Sequence, residues 1–130
     1  MTFDKYRWAI PGQPIAKGRP RMAIKGHRII AYTPDATRQY ERDAKIIIKA
    51  AMAGRQALEG PVSVSMSFYF QELKRKKQWH TSRPDIDNLI KSGLDAMNGI
   101  AFVDDSQVCE LHVFKSYGEN PRVEIIMTGL

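Results

Sequence analysis

Cysteine is nearly absent from this 130-residue chain, which contains one, Cys109. A single cysteine forms no internal disulfide, so the sequence predicts a protein of a reducing compartment, the cytoplasm. Long apolar runs are absent too, and no stretch approaches the roughly 20 residues needed to cross a bilayer. Residues 1–7 lack the apolar stretch of a signal peptide. We therefore expect a cytoplasmic protein with no membrane partner.

Several motifs of well-known chemistries are also missing. The histidines show no metal-ligand spacing with one another or with Cys109, which argues against a zinc site. The chain has no Gly-x-Ser-x-Gly motif of a serine hydrolase. The segment 17–21 has one glycine and no terminal Lys-Ser/Thr, so it does not make a phosphate-binding P-loop. We interpret this segment as a basic loop whose arginines can hold phosphates.

Acidic residues are scarce in the first part of the chain. Residues 1–80 hold 16 Lys and Arg against 6 Asp and Glu, whereas residues 81–130 hold 4 against 8. The formal net charge of +6 favours a polyanionic partner such as nucleic acid. Carboxylates repel the same phosphates, however, and five aspartates lie between Asp85 and Asp105. This division of charge indicates more than simple coating of nucleic acid.

Length and average composition predict one compact domain over residues 1–130. Alternating apolar residues predict four longer strands, at 5–10, 62–70, 108–115 and 122–127. A short hairpin is predicted from residues 22–24 and 28–32. Helical spacing predicts two helices, from Thr33-Pro34 to Gly54 and from Asp85 to Asn98-Gly99. We expect Cys109 to point into the core. Trp79 could stack on a base or pack on the sheet, and we favour packing on the sheet. The element order predicts an α+β fold with a mixed or antiparallel sheet covered by two helices.

The densest group of chemically useful side chains lies at the start of the second predicted helix. Asp85 and Asp87 are two residues apart where the chain is not yet regular, so both can converge on one ion. Asp105 can add a third carboxylate from the start of a later strand. Mg²⁺ prefers such oxygen ligands and takes one or two of them plus water and phosphate. Neighbours in an extended chain point opposite ways, so we expect Asp104 to be an outer or occasional ligand.

Lys91 lies one helical turn after Asp87, where its ammonium group could stabilise charge on a transferring phosphate. Structural alternatives remain open at this stage. Asp85 and Asp87 could cap the helix, Asp87 could pair with Lys91, and Asp104-Asp105 could form a turn. All of these residues fall within the 21 positions from 85 to 105 of a basic protein, which favours one shared function.

Three ordered blocks resemble RusA-type Holliday junction resolvases, namely Pro84-Asp85-Ile86-Asp87-Asn88-Leu89-Ile90-Lys91, Asp95-Ala96-Met97-Asn98-Gly99 and Asp104-Asp105-Ser106-Gln107. The N-terminal half is similar at Ile10-Pro11-Gly12, Lys17-Gly18-Arg19-Pro20-Arg21 and Tyr32-Thr33-Pro34, so the resemblance covers nearly the whole chain. It implies a RusA-like fold and a crossover junction endodeoxyribonuclease that depends on Mg²⁺ or Mn²⁺. The family works as a homodimer on four-way DNA in recombination and repair, encoded by a bacterium or a phage.

Carried over by position, the resemblance implies catalytic roles for Asp85, Asp87, Lys91 and Asp105. The same carry-over implies metal ligation by Asp85, Asp87 and Asp105, with Asp104 as the neighbouring acid. Pro84 stands where some members carry a basic residue, which is one departure from the family pattern.

We expect DNA contacts from the basic residues of two segments, which are Lys17, Arg19, Arg21, Lys74, Arg75, Lys76, Lys77 and Arg83. Two other functions remain open from the sequence. One is a non-catalytic nucleic-acid-binding protein that keeps the aspartates for folding. The other is a related nuclease that acts on flaps, forks or RNA.

Overall fold

The chain folds around a four-stranded sheet in a computed structural model, which describes residues 4–16, 21–32, 34–72 and 77–130. In chain order the elements are β1 (Lys5–Pro11), β2 (Arg21–Lys25), β3 (Arg28–Tyr32), α1 (Asp35–Met52), β4 (Val62–Gln71), α2 (Ile86–Met97), β5 (Val108–Gly118) and β6 (Arg122–Gly129). A 3₁₀ turn, Asp105–Gln107, precedes β5. This order and the α+β class confirm the prediction from the sequence.

The sheet is mixed, with the strand order β1-β6-β4-β5. Strand β6 pairs antiparallel with both β1 and β4, whereas β4 and β5 are parallel. Parallel neighbours need a crossover connection, and α2 lies within the connection from β4 to β5. The two short strands β2 and β3 form a separate antiparallel sheet.

One face of the large sheet forms the core with the two helices. Strand β4 shows the alternation most clearly, because its apolar residues from Val62 to Phe70 are buried and its serines are only partly covered. Buried residues of β1 and β6 continue this face, and both helices add apolar residues to it, among them Ile48 and Leu89. Both helices therefore cover the same face, as the apolar stripes predicted.

The expectation for Cys109 is wrong. Cys109 is exposed, because β5 is an edge strand whose first residues have a neighbour on one side only. Trp79 contacts the border of the sheet, through an isolated bridge to Ser116 and an edge-on contact with Phe114, but 57% of it stays exposed. The start of α1 also differs slightly, since Pro34 flanks the helix instead of opening it. The expected cap Thr33 lies outside the described residues.

Within the described ranges, no helix is both long and apolar enough to span a membrane.

A close approach between α2 and β4 fixes the position of α2. A Cβ atom added at Gly93 would lie 2.9 Å from Cε and 3.0 Å from Sδ of Met66. Met66 is fully buried, so its side chain has little room to move away. Glycine within a helix normally costs about 1 kcal/mol relative to alanine, and the close packing explains why it is present here.

Replacing Gly93 by valine should therefore destabilise the protein by about 2–3 kcal/mol, because extra atoms are forced into a filled core. Urea unfolding of Gly93→Val measures this loss. The double variant Gly93→Val/Met66→Ala should recover part of it, since truncating Met66 removes the clash. The proposed contact would be contradicted if the losses in the free energy of unfolding of the two single variants simply added in the double variant.

Candidate active site

The start of α2 presents two carboxylates to solvent. Asp85 immediately precedes the helix and its backbone carbonyl accepts a bond from the Leu89 amide (3.2 Å), but its side chain makes no capping hydrogen bond. Asp87 lies in the first turn and is exposed. Neither it nor the exposed Lys91 makes an ion pair with any residue that the structure describes. The described chain therefore forms neither a side-chain cap by Asp85 nor a pair of Asp87 with Lys91, whereas Asp87 does lie in the first turn, where a carboxylate interacts favourably with the helix dipole.

Lys115 holds the turn that leads into Asp85. Its Nζ donates to the backbone carbonyls of Ser82 and Pro84, at 2.8 Å each. An ammonium group has three donors, and two of them are used here on neutral oxygens. The lysine fixes the backbone next to Asp85 without neutralising the aspartate itself. No sequence signal marked this residue, because it belongs to a strand far along the chain.

A second anchor ties the N-terminal loop to α2. Ser92 Oγ donates to the Ile15 carbonyl at 3.0 Å, and the amide of Gln71 donates to Oε1 of Gln13 at 2.8 Å. The backbone of Ile15 also forms a hydrogen bond with Tyr40, whose burial raises the pKa of its hydroxyl to about 12. These contacts bring residue 16 to the mouth of an open cleft.

That cleft is the clearest concave surface at the start of α2. It has a volume of about 450 Å³ and is lined by Ala16, Arg83, Pro84, Asp85 and Asn88. It combines an arginine, an amide and a carboxylate with one wall from the N-terminal loop, and it opens to solvent. Such a surface suits an extended charged ligand more than a small enclosed molecule.

In the Asp104-Asp105-Ser106-Gln107 block, some side chains hold the turn in shape and another remains available for a ligand. Asp104 Oδ2 accepts from the Ser106 amide at 3.0 Å, and Gln107 Oε1 accepts from the Asp104 amide at 2.9 Å. These contacts close a capping box, and the bonds from Ser106 hold the pKa of the Asp104 carboxyl below its ordinary value of 3.8. Asp105 is exposed, with no side-chain partner among the described residues.

Gln107 also fixes this turn to a distant loop. Its Nε2 donates to the carbonyls of Leu58 and Gly60, at 2.8 Å each. The side chain therefore uses its acceptor and both donors, and it joins three parts of the chain. The sequence predicted Asp105 as the carboxylate that is free to bind a ligand and Asp104 as its helper, but it did not predict the role of Gln107.

The donor chemistry suits a hard cation, but the described part of one chain holds no ready-made cluster of ligands. Asp85, Asp87 and Asp105 offer exposed oxygens that no described residue occupies. No group of three or more His, Cys, Asp or Glu side chains in the described ranges is arranged to hold a metal ion. The structure thus does not bring the three aspartates together as one ligand set. Mg²⁺ needs only one or two carboxylates plus water and phosphate, so the residues fit it.

Most of the expected DNA contacts fall outside the described residues. Lys17, Arg19, Lys74, Arg75 and Lys76 lie there. Arg21 begins β2, although the placement of its side chain is not described. Lys77 and Arg83 are exposed, and Arg83 lines the cleft beside Asp85.

A buried histidine lies close to the Lys115 anchor. The His80 ring stacks on Phe70 with 3.8 Å between centroids and an interplanar angle of 14°, and the Tyr117 ring lies 5.0 Å away. His80 Nδ1 is buried without a partner in the described chain. Burial lowers the pKa of His80, and the nearby ammonium of Lys115 lowers it further. The residue supports the edge of the sheet beside the turn that carries Asp85.

Comparison with known families places this chain in a class of DNA-cleaving enzymes. Residues 11–128 match the family model described as endodeoxyribonuclease RusA. The chain therefore belongs to the RusA endodeoxyribonuclease family, as the sequence blocks had indicated.

Two relatives illustrate the range of this similarity. The chain is 31% identical to the uncharacterized protein YqaN of Bacillus subtilis (strain 168), and the match covers 96% of each chain. It is 41% identical over 71 residues to the crossover junction endodeoxyribonuclease rusA of Lactococcus phage r1t, across 52% of this chain and 54% of the phage protein.

Removal of the Gln107 side chain should loosen the turn that carries Asp105. We expect Gln107→Ala to lower the free energy of unfolding by about 1–2 kcal/mol, because three hydrogen bonds are lost at a partly buried position. Urea unfolding provides the measurement. The matched control Gln56→Ala, at an exposed glutamine, should change stability by less than about 0.5 kcal/mol. Equal stability of the two variants would contradict the anchoring role.

His80 should make stability depend on pH. Because its folded-state pKa lies below the ordinary value of 6.5, the unfolded chain binds more protons between the two values. The free energy of unfolding should therefore fall as the pH drops through 6.5 and level off below the folded-state pKa. His80→Phe keeps a ring against Phe70 and should flatten this dependence. Unfolding at stepped pH and NMR titration of His80 test this, and a wild-type pKa above 6.5 would contradict it.

Proposed function

We propose that this chain is a Mg²⁺-dependent endonuclease that resolves four-way DNA junctions by paired phosphodiester hydrolysis. The observation that carries the proposal, together with family membership, is the state of the carboxylates at the start of α2. Asp85 and Asp87 are exposed, and their side chains form no capping bond or ion pair with a described residue, while Lys115 holds the backbone around Asp85. Surface aspartates that serve only folding would be expected to cap or pair.

The carboxylates and one lysine have separate tasks in this proposal. Asp85, Asp87 and Asp105 would hold the ion, which Mn²⁺ could replace, and Asp104 would keep the Asp105 turn in shape while contributing at most its second oxygen. When bound, the ion supplies a more acidic water and stabilises charge on the phosphate. Lys91 is exposed, and its ammonium group would stabilise charge on the phosphate that is transferred.

The basic part of the chain would hold the DNA backbones. Arg83 lines the cleft beside Asp85, so a phosphate held by its guanidinium would lie close to the carboxylates. Lys17, Arg19, Arg21 and residues 74–77 would extend this contact. Most of this affinity would be electrostatic, so binding would weaken steeply as salt is added.

A homodimer completes the proposal. Resolution of a junction requires two matched cuts, and a two-fold dimer presents two equivalent sites to a nearly two-fold substrate. Water and the substrate phosphate would supply the remaining ligands of each ion.

The deciding experiment measures cutting and binding separately on a synthetic four-way junction. With Mg²⁺ the wild-type protein should make paired cuts, and EDTA should abolish them. Asp87→Asn should lower cutting by more than about 100-fold, beyond the usual effect of disturbing a metal's outer shell. Junction binding in EDTA should survive or tighten, because a charge that repels phosphate has been removed.

Asp43→Asn is the matched control, since Asp43 is an exposed aspartate on α1 away from the cleft. It should cut like wild type. Failure of the wild-type protein to cut any branched substrate would leave only a nucleic-acid-binding protein. Faster cutting of flaps, forks or RNA would replace the junction as substrate. Loss of folding in Asp87→Asn would assign that residue a structural role.

A further inference from the structure

The hairpin of β2 and β3 stands apart from the core. Among the residues that the structure describes, its strands pair only with each other, and the side chains from residue 22 to residue 31 are all exposed. Gly26 and His27 form the two-residue loop, with Gly26 at a φ of +66°, in the left-handed region that the first position of a type II′ turn requires. A two-stranded hairpin alone is marginally stable in water.

The two faces of the hairpin differ in chemistry. Residues paired directly across an antiparallel ladder share a face, so Met22 lies with Ala31 and Ile24 lies with Ile29. This face is wholly apolar, and Met22, Ile24 and Ile29 are 66%, 79% and 69% exposed. Aliphatic side chains this exposed and this close together mark a surface that binds something.

The opposite face has the apolar pair Ala23 and Ile30 in its middle and carries charge at the loop end. Lys25 pairs with Arg28 across the ladder at the loop, with His27 between them. The chain has no aspartate or glutamate between Asp4 and Asp35, so no acidic residue in this region offsets these charges. A second copy of the hairpin would bring equal charges together, whereas a polyanion would be attracted.

We propose that this hairpin binds the branch point of the DNA substrate. The apolar face packs on base surfaces that are unstacked at the branch, while Lys25 and Arg28 contact flanking phosphates. Continuous duplex keeps its bases stacked and offers no such surface, so the apolar face gives a preference for branched DNA. Aliphatic side chains that enter between base steps, and two-stranded ribbons that enter the major groove, are both established modes of DNA binding. This inference rests on the proposed function, because it takes branched DNA as the ligand.

The test compares two hairpin variants with matched controls on α1. Ile24→Ser/Ile29→Ser removes the apolar face, and Ile46→Ser is its control, because Ile46 is likewise 67% exposed. Lys25→Gln/Arg28→Gln removes the charges, with Lys45→Gln/Lys49→Gln as its control at two exposed lysines. All are measured in EDTA, by fluorescence anisotropy, on a four-way junction and on linear duplex of the same arm sequence. Thermal unfolding confirms that each variant is folded.

The two variants should fail in different ways. Loss of the apolar face should weaken junction binding by about tenfold and change duplex binding less than about twofold. Loss of the charges should weaken binding to both DNAs and reduce the slope of log K against log salt by about 2. A 2-aminopurine placed at the branch should change fluorescence with wild type and with Ile46→Ser, but not with Ile24→Ser/Ile29→Ser.

Three results would overturn the inference. The first is an unchanged ratio of junction to duplex affinity in Ile24→Ser/Ile29→Ser, and the second is an unchanged 2-aminopurine signal in that variant. The third is conversion of a wild-type dimer to a monomer by that variant in sedimentation, which would show that a second copy covers the face. None of these binding measurements requires cutting, so the two hypotheses can fail separately. If the protein cuts junctions but the hairpin variants bind DNA like wild type, only the inference about the hairpin is refuted. If binding depends on the hairpin but the protein never cuts, only the proposed enzyme activity is refuted.

Discussion

The packing of α2 on β4 is the constraint on which the site depends. Gly93 lets the helix approach Met66 until there is no space for a side chain, and buried residues such as Leu89 and Met97 fill the rest of the contact. A close-packed contact of this kind resists sliding and rotation. Asp87 and Lys91 therefore have positions set by the hydrophobic core, although both side chains lie in water. The packing of the interior therefore sets the geometry of the surface side chains at the site.

The turn that leads into Asp85 and the turn that carries Asp105 are held in similar ways. Lys115 and Gln107 bind backbone groups, and neither bonds the carboxylate of an aspartate of the candidate site. This choice has a physical consequence. A lysine paired with Asp85 would neutralise it and occupy its oxygens, whereas a lysine on the neighbouring carbonyls fixes the backbone and leaves the carboxylate available. Exposed carboxylates that have no partner among the described residues contribute little to folding, which is typical of positions retained for binding or catalysis.

Local pattern was enough to predict most of the fold. Alternation along β4 and the helical spacing of the stripe in α2 are properties of the chain within ten or twelve residues, and both were found where expected. The candidate carboxylates were also local, since Asp85 and Asp87 belong to one block. What local pattern could not predict was the support of the site: Lys115 reaches 31 residues back to Pro84 and Gln107 reaches 49 residues back to Leu58. Such contacts exist only after the strands have paired.

The same limit explains the errors at single residues. Alternation along β5 assigned Cys109 to the core, but alternation does not say whether a strand lies in the middle or at the edge of a sheet, and β5 is an edge strand. The β2–β3 hairpin is the stronger case. Its strands contain short apolar runs, as buried strands do, yet the folded domain covers none of these residues between 22 and 31.

The division of charge along the sequence acquires a physical meaning from this exposed hairpin. Carboxylates near the cleft repel phosphate, so the affinity that brings a backbone to them must come from elsewhere in the chain. The stretch without acidic residues between Asp4 and Asp35 can supply it, and it contains a hairpin with one apolar face. Charge attracts any nucleic acid, whereas an apolar surface gains only where bases are open to it. The combination allows attraction and discrimination to come from one element, while the aspartates on and after α2 are left for the phosphate that is to be cut.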